Sequence, residues 1–170
     1  MSDSIRTTHV GSLPRSQRVV DLIFARERGE PFDRAVFEST MGEEVAATVE
    51  RQVASGIDVV SDGETSKISY ATYVKDRYTG FGGDSPRNAP ADLKQFPGFL
   101  DRIARSGGTP EYARPCCIGE VRPGDHADLE ADIRHLLAAI KKHQASAGFM
   151  NAASPGVVAL FLPNRHYPNH

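Results

Sequence analysis

The sequence is short of several things at once, and each shortage excludes a class of protein. Its cysteines number two, Cys116 and Cys117, and they are adjacent. Neighbouring thiols make a poor structural disulfide and cannot close a four-ligand zinc site by themselves; reduced, buried, inert thiols are expected, with lining a pocket as the other use. Long apolar runs are missing too: the longest, residues 157–162, is far short of a bilayer span. The first residues carry no apolar signal segment, so a cytoplasmic location is expected. Charge of one sign is lacking, since 20 Lys and Arg stand against 22 Asp and Glu for a net charge of −2, which argues against a nucleic-acid footprint or a polybasic membrane surface. Phosphate loops, G-x-G-x-x-G, G-x-S-x-G and H-E-x-x-H motifs are all absent, and with them the simplest support for nucleotide binding or hydrolysis.

What is present is an ordinary globular composition, 39% apolar and 25% charged over 170 residues, the length of one domain. Short β-like runs alternate with longer helical patterns, with no internal repeat. Residues 5–10 read as a first strand, stopped by Gly11-Ser12-Leu13-Pro14, and Ser16 is placed to cap a helix reaching Arg28-Gly29. A second helix follows Pro31, because Phe37, Met41, Val45, Val49 and Val53 recur at a helical interval and Gly56 stops it. Ile57-Asp58-Val59-Val60 is a buried-strand pattern that ends in the polar Ser61-Asp62-Gly63-Glu64.

Residues 81–97, rich in Gly and Pro, read as a surface excursion, with a helix predicted over 92–106. A third strand is predicted over 114–121 and a cap at Asp125 or its neighbour. Leu129, Ile133, Leu136, Leu137 and Ile140 then form the clearest amphipathic stripe in the chain. A fourth strand over 148–151 and a short helix ending near Leu162 complete the pattern. Four strands each followed by a helix imply an α/β fold with parallel pairing, in which ligands bind at the C-terminal strand ends.

Two strand ends carry candidate chemistry. In Thr7-Thr8-His9-Val10-Gly11-Ser12-Leu13-Pro14-Arg15, Gly11 allows close backbone approach and Ser12 offers a hydroxyl and an N–H, which suits a small carboxylate; a plain strand-to-helix turn accounts for the same residues. In Asp58-Val59-Val60-Ser61-Asp62-Gly63-Glu64, the Glu64 or Asp62 carboxylate could hold an ammonium or act as a base, while Asx-turn and capping chemistry is the commoner use of such residues. His9 is either a ligand at the site's mouth or a satisfied strand histidine. His166 and His170 are four apart, but Pro168 between them discounts a helical metal pair; His126, His135 and His143 read as surface or boundary residues.

Those two motifs, with Gly148-Phe149-Met150-Asn151-Ala152-Ala153-Ser154-Pro155-Gly156 and Asn164-Arg165-His166-Tyr167-Pro168, resemble the cobalamin-independent methionine synthase family, specifically single-barrel relatives of that enzyme's catalytic domain. The resemblance runs along essentially the whole chain. It implies a TIM (β/α)8 barrel of the methionine synthase and uroporphyrinogen decarboxylase type and methyl transfer from a methyltetrahydrofolate donor to a homocysteine thiol held by zinc. By position it implies Val10, Gly11 and Ser12 as carboxylate contacts, Glu64 as the ammonium contact and Asp62 beside it. Asp62 stands where methionine synthase carries histidine, so another thiol alkyltransferase or a decarboxylase on the same barrel is the enzymatic alternative. No His-x-Cys occurs in the chain, so no zinc ligand carries over. A full barrel needs eight strands and about 250 residues, so the expectation is roughly the first four β/α units, either completed by a second copy or a complementing half-barrel, or a non-catalytic remnant.

Overall fold

The computed structural model describes residues 5–85, 93–105 and 114–169. Its element order is α1 (Gln17–Glu27), α2 (Arg34–Ala54), β1 (Val59–Ser61), β2 (Phe81–Gly82), α3 (Pro97–Arg105), β3 (Cys116–Cys117), α4 (Ala127–His143), β4 (Ala147–Phe149) and α5 (Pro155–Phe161), with 3-10 turns at Thr72–Asp76 and Leu93–Gln95. No described helix is long and apolar enough to cross a membrane.

Local chemistry explains most boundaries. Asp33 caps α2 by accepting from the Ala35 and Val36 amides. At the head of α4 the cap position is His126, whose side chain makes no capping bond; Asp125, one residue earlier, accepts from Ala127 N at 2.8 Å, and Ser154 caps α5 ahead of a proline in its first turn. Ser16 sits at the head of α1, but its hydroxyl makes no capping bond; its amide donates to Glu44 instead.

β1 and β4 pair in parallel, Val60 opposite Gly148. Behind them lies a core of Val45, Val49, Val60, Leu136 and Ala139, where each fully buried aliphatic side chain contributes on the order of 1.5–3 kcal/mol. A second cluster, Val19, Ile23, Phe37, Met41 and Ile68, ties α1 to α2. The helical stripe expected after Pro31 is therefore the spine of both clusters.

Three expectations need correction. Residues 5–10 do not form a strand with a continuous ladder; they meet β1 at a single parallel bridge, Thr8 to Val59. There the Asp58 carboxylate takes the Thr7 amide at 2.7 Å and so replaces a ladder partner. The run at 114–121 is not a parallel strand: its two β residues pair antiparallel with β2, Phe81 opposite Cys117, in a separate two-stranded sheet. The parallel row thus holds two strands and a bridge, and no closed barrel is present among the described residues.

The α4 stripe is the third departure. Leu136 is buried, but Leu129, Ile133 and Leu137 are exposed. α4 packs on α2 through a different, small-residue face that includes Ala131 and Ala139 and sets His135 against Gly42. The bulky residues instead face a cleft of about 940 Å³ shared with β4 and α5. The helix at 92–106 is present as a 3-10 turn followed by α3, while residues 86–92 and 106–113 lie outside the described residues.

Candidate functional site

The candidate site is built where β1 ends. Gly63 (φ 63°) and Glu64 (φ 56°) are successive left-handed residues, and they reverse the chain as it leaves the strand. Only glycine suits the first position, since a Cβ there would lie 3.0 Å from Leu13 Cβ and 3.1 Å from Thr48 Cγ2. Gly63 O accepts from Leu13 N at 3.0 Å, which docks the first loop against this turn. For Glu64 the left-handed backbone costs about 1–3 kcal/mol, strain of a kind that concentrates at functional sites.

The turn places the Glu64 carboxylate between two other segments. Ser12 Oγ donates to its Oε2 and Asn151 Nδ2 donates to its Oε1, so one carboxylate draws together residues 52 and 87 positions away. Glu64 is 2% exposed. Arg15 Nη2 donates to the Glu64 and Lys67 carbonyls, 2.7 Å each, and locks the turn from its backbone side. Burial lowers the Arg15 pKa, and the charges of Glu64 and Asp62 oppose that shift. Lys67, also buried, donates to Asn151 O at 2.6 Å and lies 4.9 Å over the Tyr73 ring. Burial raises the Tyr73 pKa.

Asp62 performs turn chemistry. Its Oδ1 accepts from Glu64 N at 3.1 Å, its carbonyl accepts from Thr65 Oγ1 at 2.8 Å, and burial pushes its pKa upward. Ser12 and Glu64 are therefore brought together, and Asp62 stands behind them as a support. Val10 is 65% exposed and Gly11 takes a left-handed φ of 99°; the hydrogen bonds to the Glu64 carboxylate come from Ser12 and Asn151 instead. His9 is half-buried, with no hydrogen-bond partner for Nε2 among the described residues.

Asn151, Arg15 and Lys67 are the members that sequence reasoning did not single out. Arg15 and Asn151 stood inside quoted motifs, and their signal was a polar side chain flanking a strand-end glycine or loop. Lys67 follows the Glu64 turn by three residues and carried no such mark. His166 lies in a turn in which Asn164 Oδ1 accepts from the His166 and Tyr167 amides; His170 lies outside the described residues.

The donors present bear on the zinc that the resemblance implies. Among the described residues no three His, Cys, Asp or Glu side chains converge. Cys116 and Cys117 are buried in β3, with Cys117 Sγ directed to Gly119 O at 3.5 Å. These donors do not fit a zinc ion.

No protein-family model matches the sequence, and no curated protein matches it in sequence. A solved structure does match in shape: a B12-independent methionine synthase from Shewanella sp. W3-18-1, in complex with selenomethionine, with a TM-score of 0.62 and 20% identity. The match covers 96% of this chain and 42% of that one. At that identity the likeness is one of fold, and this chain spans less than half of its neighbour's length.

Proposed function

We propose that this chain carries the amino-acid-binding part of a methionine-synthase-like methyltransferase and that its ligand is a sulfur amino acid of the homocysteine and methionine class. The observation that carries the reading is the convergence of Ser12 and Asn151 on the Glu64 carboxylate at the C-terminal end of β1. The fold shared with a selenomethionine-bound methionine synthase supports it. Two of the roughly four acceptor sites of a carboxylate are used here, which leaves capacity for one ammonium. Ser12 is exposed and is the group that gives way to a ligand, while the loop around Gly11 offers its amides to the ligand's carboxylate. Methyl transfer from a folate donor to the sulfur of that amino acid, in the cytoplasm, belongs to the same reading; zinc ligands and folate contacts would have to come from residues outside this cluster. Further β/α units, from a second copy or another polypeptide, cover the α4–α5 cleft.

Calorimetric titration with L-homocysteine and L-methionine tests the proposal. Loss of a charge-assisted hydrogen bond worth about 1.5–3 kcal/mol makes Glu64→Gln bind at least about tenfold more weakly than the parent. Equal affinity in parent and variant, with the fold intact by circular dichroism, rules the reading out.

A further inference from the structure

A second cavity, of about 120 Å³, lies behind the Glu64 turn between α2 and α4. Three of its lining residues carry a buried side-chain atom without a hydrogen-bond partner among the described residues: Ser66 Oγ, Arg77 Nη1 and His135 Nδ1. They come from three separate places in the chain, the loop after Glu64, the end of the 3-10 turn and α4. Ser66 is 8% exposed. A buried polar atom left unpaired costs about 1–3 kcal/mol, so three around one cavity call for an occupant.

The chemistry of the wall says what kind. Arg26, Arg34 and Arg77 line it together with Glu38, Asp128 and Asp132, so its charges balance. Each carboxylate is already engaged: Asp128 accepts from Arg26 and Arg34 at 3.3 and 3.2 Å. Asp132 accepts from Arg77 Nη2 at 2.6 Å, and Glu38 from Arg34 and Arg134 at 3.4 Å each. What remains is donor capacity. Arg77 Nη1 can only donate, a serine hydroxyl can donate, and imidazole Nδ1 donates in one tautomer and in the protonated form. With a water occupying roughly 30 Å³ of liquid, the cavity has room for a group of about four heavy atoms.

We propose that this cavity binds a small oxyanion, carboxylate or phosphate in class, through Ser66, Arg77 and His135, with Arg34 at its exposed rim. The site is separate from the Ser12–Glu64–Asn151 cluster and does not depend on the function assigned to it. Because Ser66 is two residues from Glu64, an occupant there also fastens the loop that carries Glu64.

The experiment titrates the full chain with inorganic phosphate and, separately, with acetate, by calorimetry and thermal unfolding, against sodium chloride at matched ionic strength. One oxyanion per chain is expected, together with a rise in Tm that chloride does not reproduce. Ser66→Ala removes a hydroxyl that has no protein partner among the described residues, so the ligand-free variant keeps or raises its Tm while its affinity falls roughly fivefold to tenfold. Arg34→Gln, at the exposed rim, weakens binding without altering the buried cluster. Glu64→Gln leaves the titration unchanged, which separates this site from the amino-acid site. Saturation with chloride alone, equal affinity in Ser66→Ala, or a crystal grown in phosphate with only water against Ser66 and Arg77 overturns the proposal.

Discussion

Gln52 provides the sharpest test of how the site is held in place. β1 has β4 along one edge, and on the other the N-terminal segment reaches it only at Val59. Two residues further on, the Gln52 carboxamide stands in for the missing strand: Oε1 accepts from Ser61 N at 3.0 Å and Nε2 donates to Ser61 O at 2.8 Å. Nε2 also donates to Thr48 O at 3.2 Å. Gln52 and Ser61 are both buried, so water cannot substitute. Gln52→Met keeps most of the volume and removes every one of these bonds. Counting only the two bonds to Ser61, whose buried N–H and C=O are left without this partner, the destabilisation is about 2–5 kcal/mol, a large share of the roughly 5–15 kcal/mol that holds a domain together. Gln52→Ala adds a cavity and costs more. The assay is urea unfolding followed by far-UV circular dichroism. A Gln52→Met variant within about 0.5 kcal/mol of the parent, the range of ordinary surface substitutions, refutes the argument.

Two further outcomes follow from the same turn. Burial raises the Asp62 pKa above its ordinary 3.8; the folded state therefore favours the protonated acid, a preference that stabilises below that value and is lost as pH rises through the folded pKa. Asp62→Asn keeps an acceptor for Glu64 N, so its urea midpoint exceeds the parent's at neutral pH and the difference closes below pH 3.8; a gap that widens on acidification contradicts this. Gly63→Ala combines a left-handed φ with a Cβ 3.0 Å from Leu13 and lowers stability by about 2–4 kcal/mol, measured by the same unfolding assay.

Much of this arrangement was legible in the sequence because it is local. The apolar interval from Phe37 to Val49 announced α2, and the polar turns after short apolar runs located the strand-end loops that bring Ser12 and Glu64 together. What was not legible depends on partner choice. Residues 114–121 look like a strand in isolation, but whether such a run joins a parallel row or folds onto Phe81–Gly82 is decided by contacts distant in sequence. The same holds for Asn151, whose amide reaches Glu64 only because β4 lies beside β1, and for Gln52, which reads as one more polar residue on a helix. The α4 stripe was correct as a period and uninformative about which of two apolar faces would meet α2, since small residues permit the closer approach.

The paired left-handed residues at 63 and 64 carry a consequence for anyone improving this protein. Glycine at position 64 would adopt that backbone freely, so a screen for heat resistance or expression has a simple route to gain: discard the glutamate and relax the turn. Such a screen would erase the one carboxylate on which Ser12 and Asn151 meet, and the most robust variants recovered would be those least able to hold a ligand.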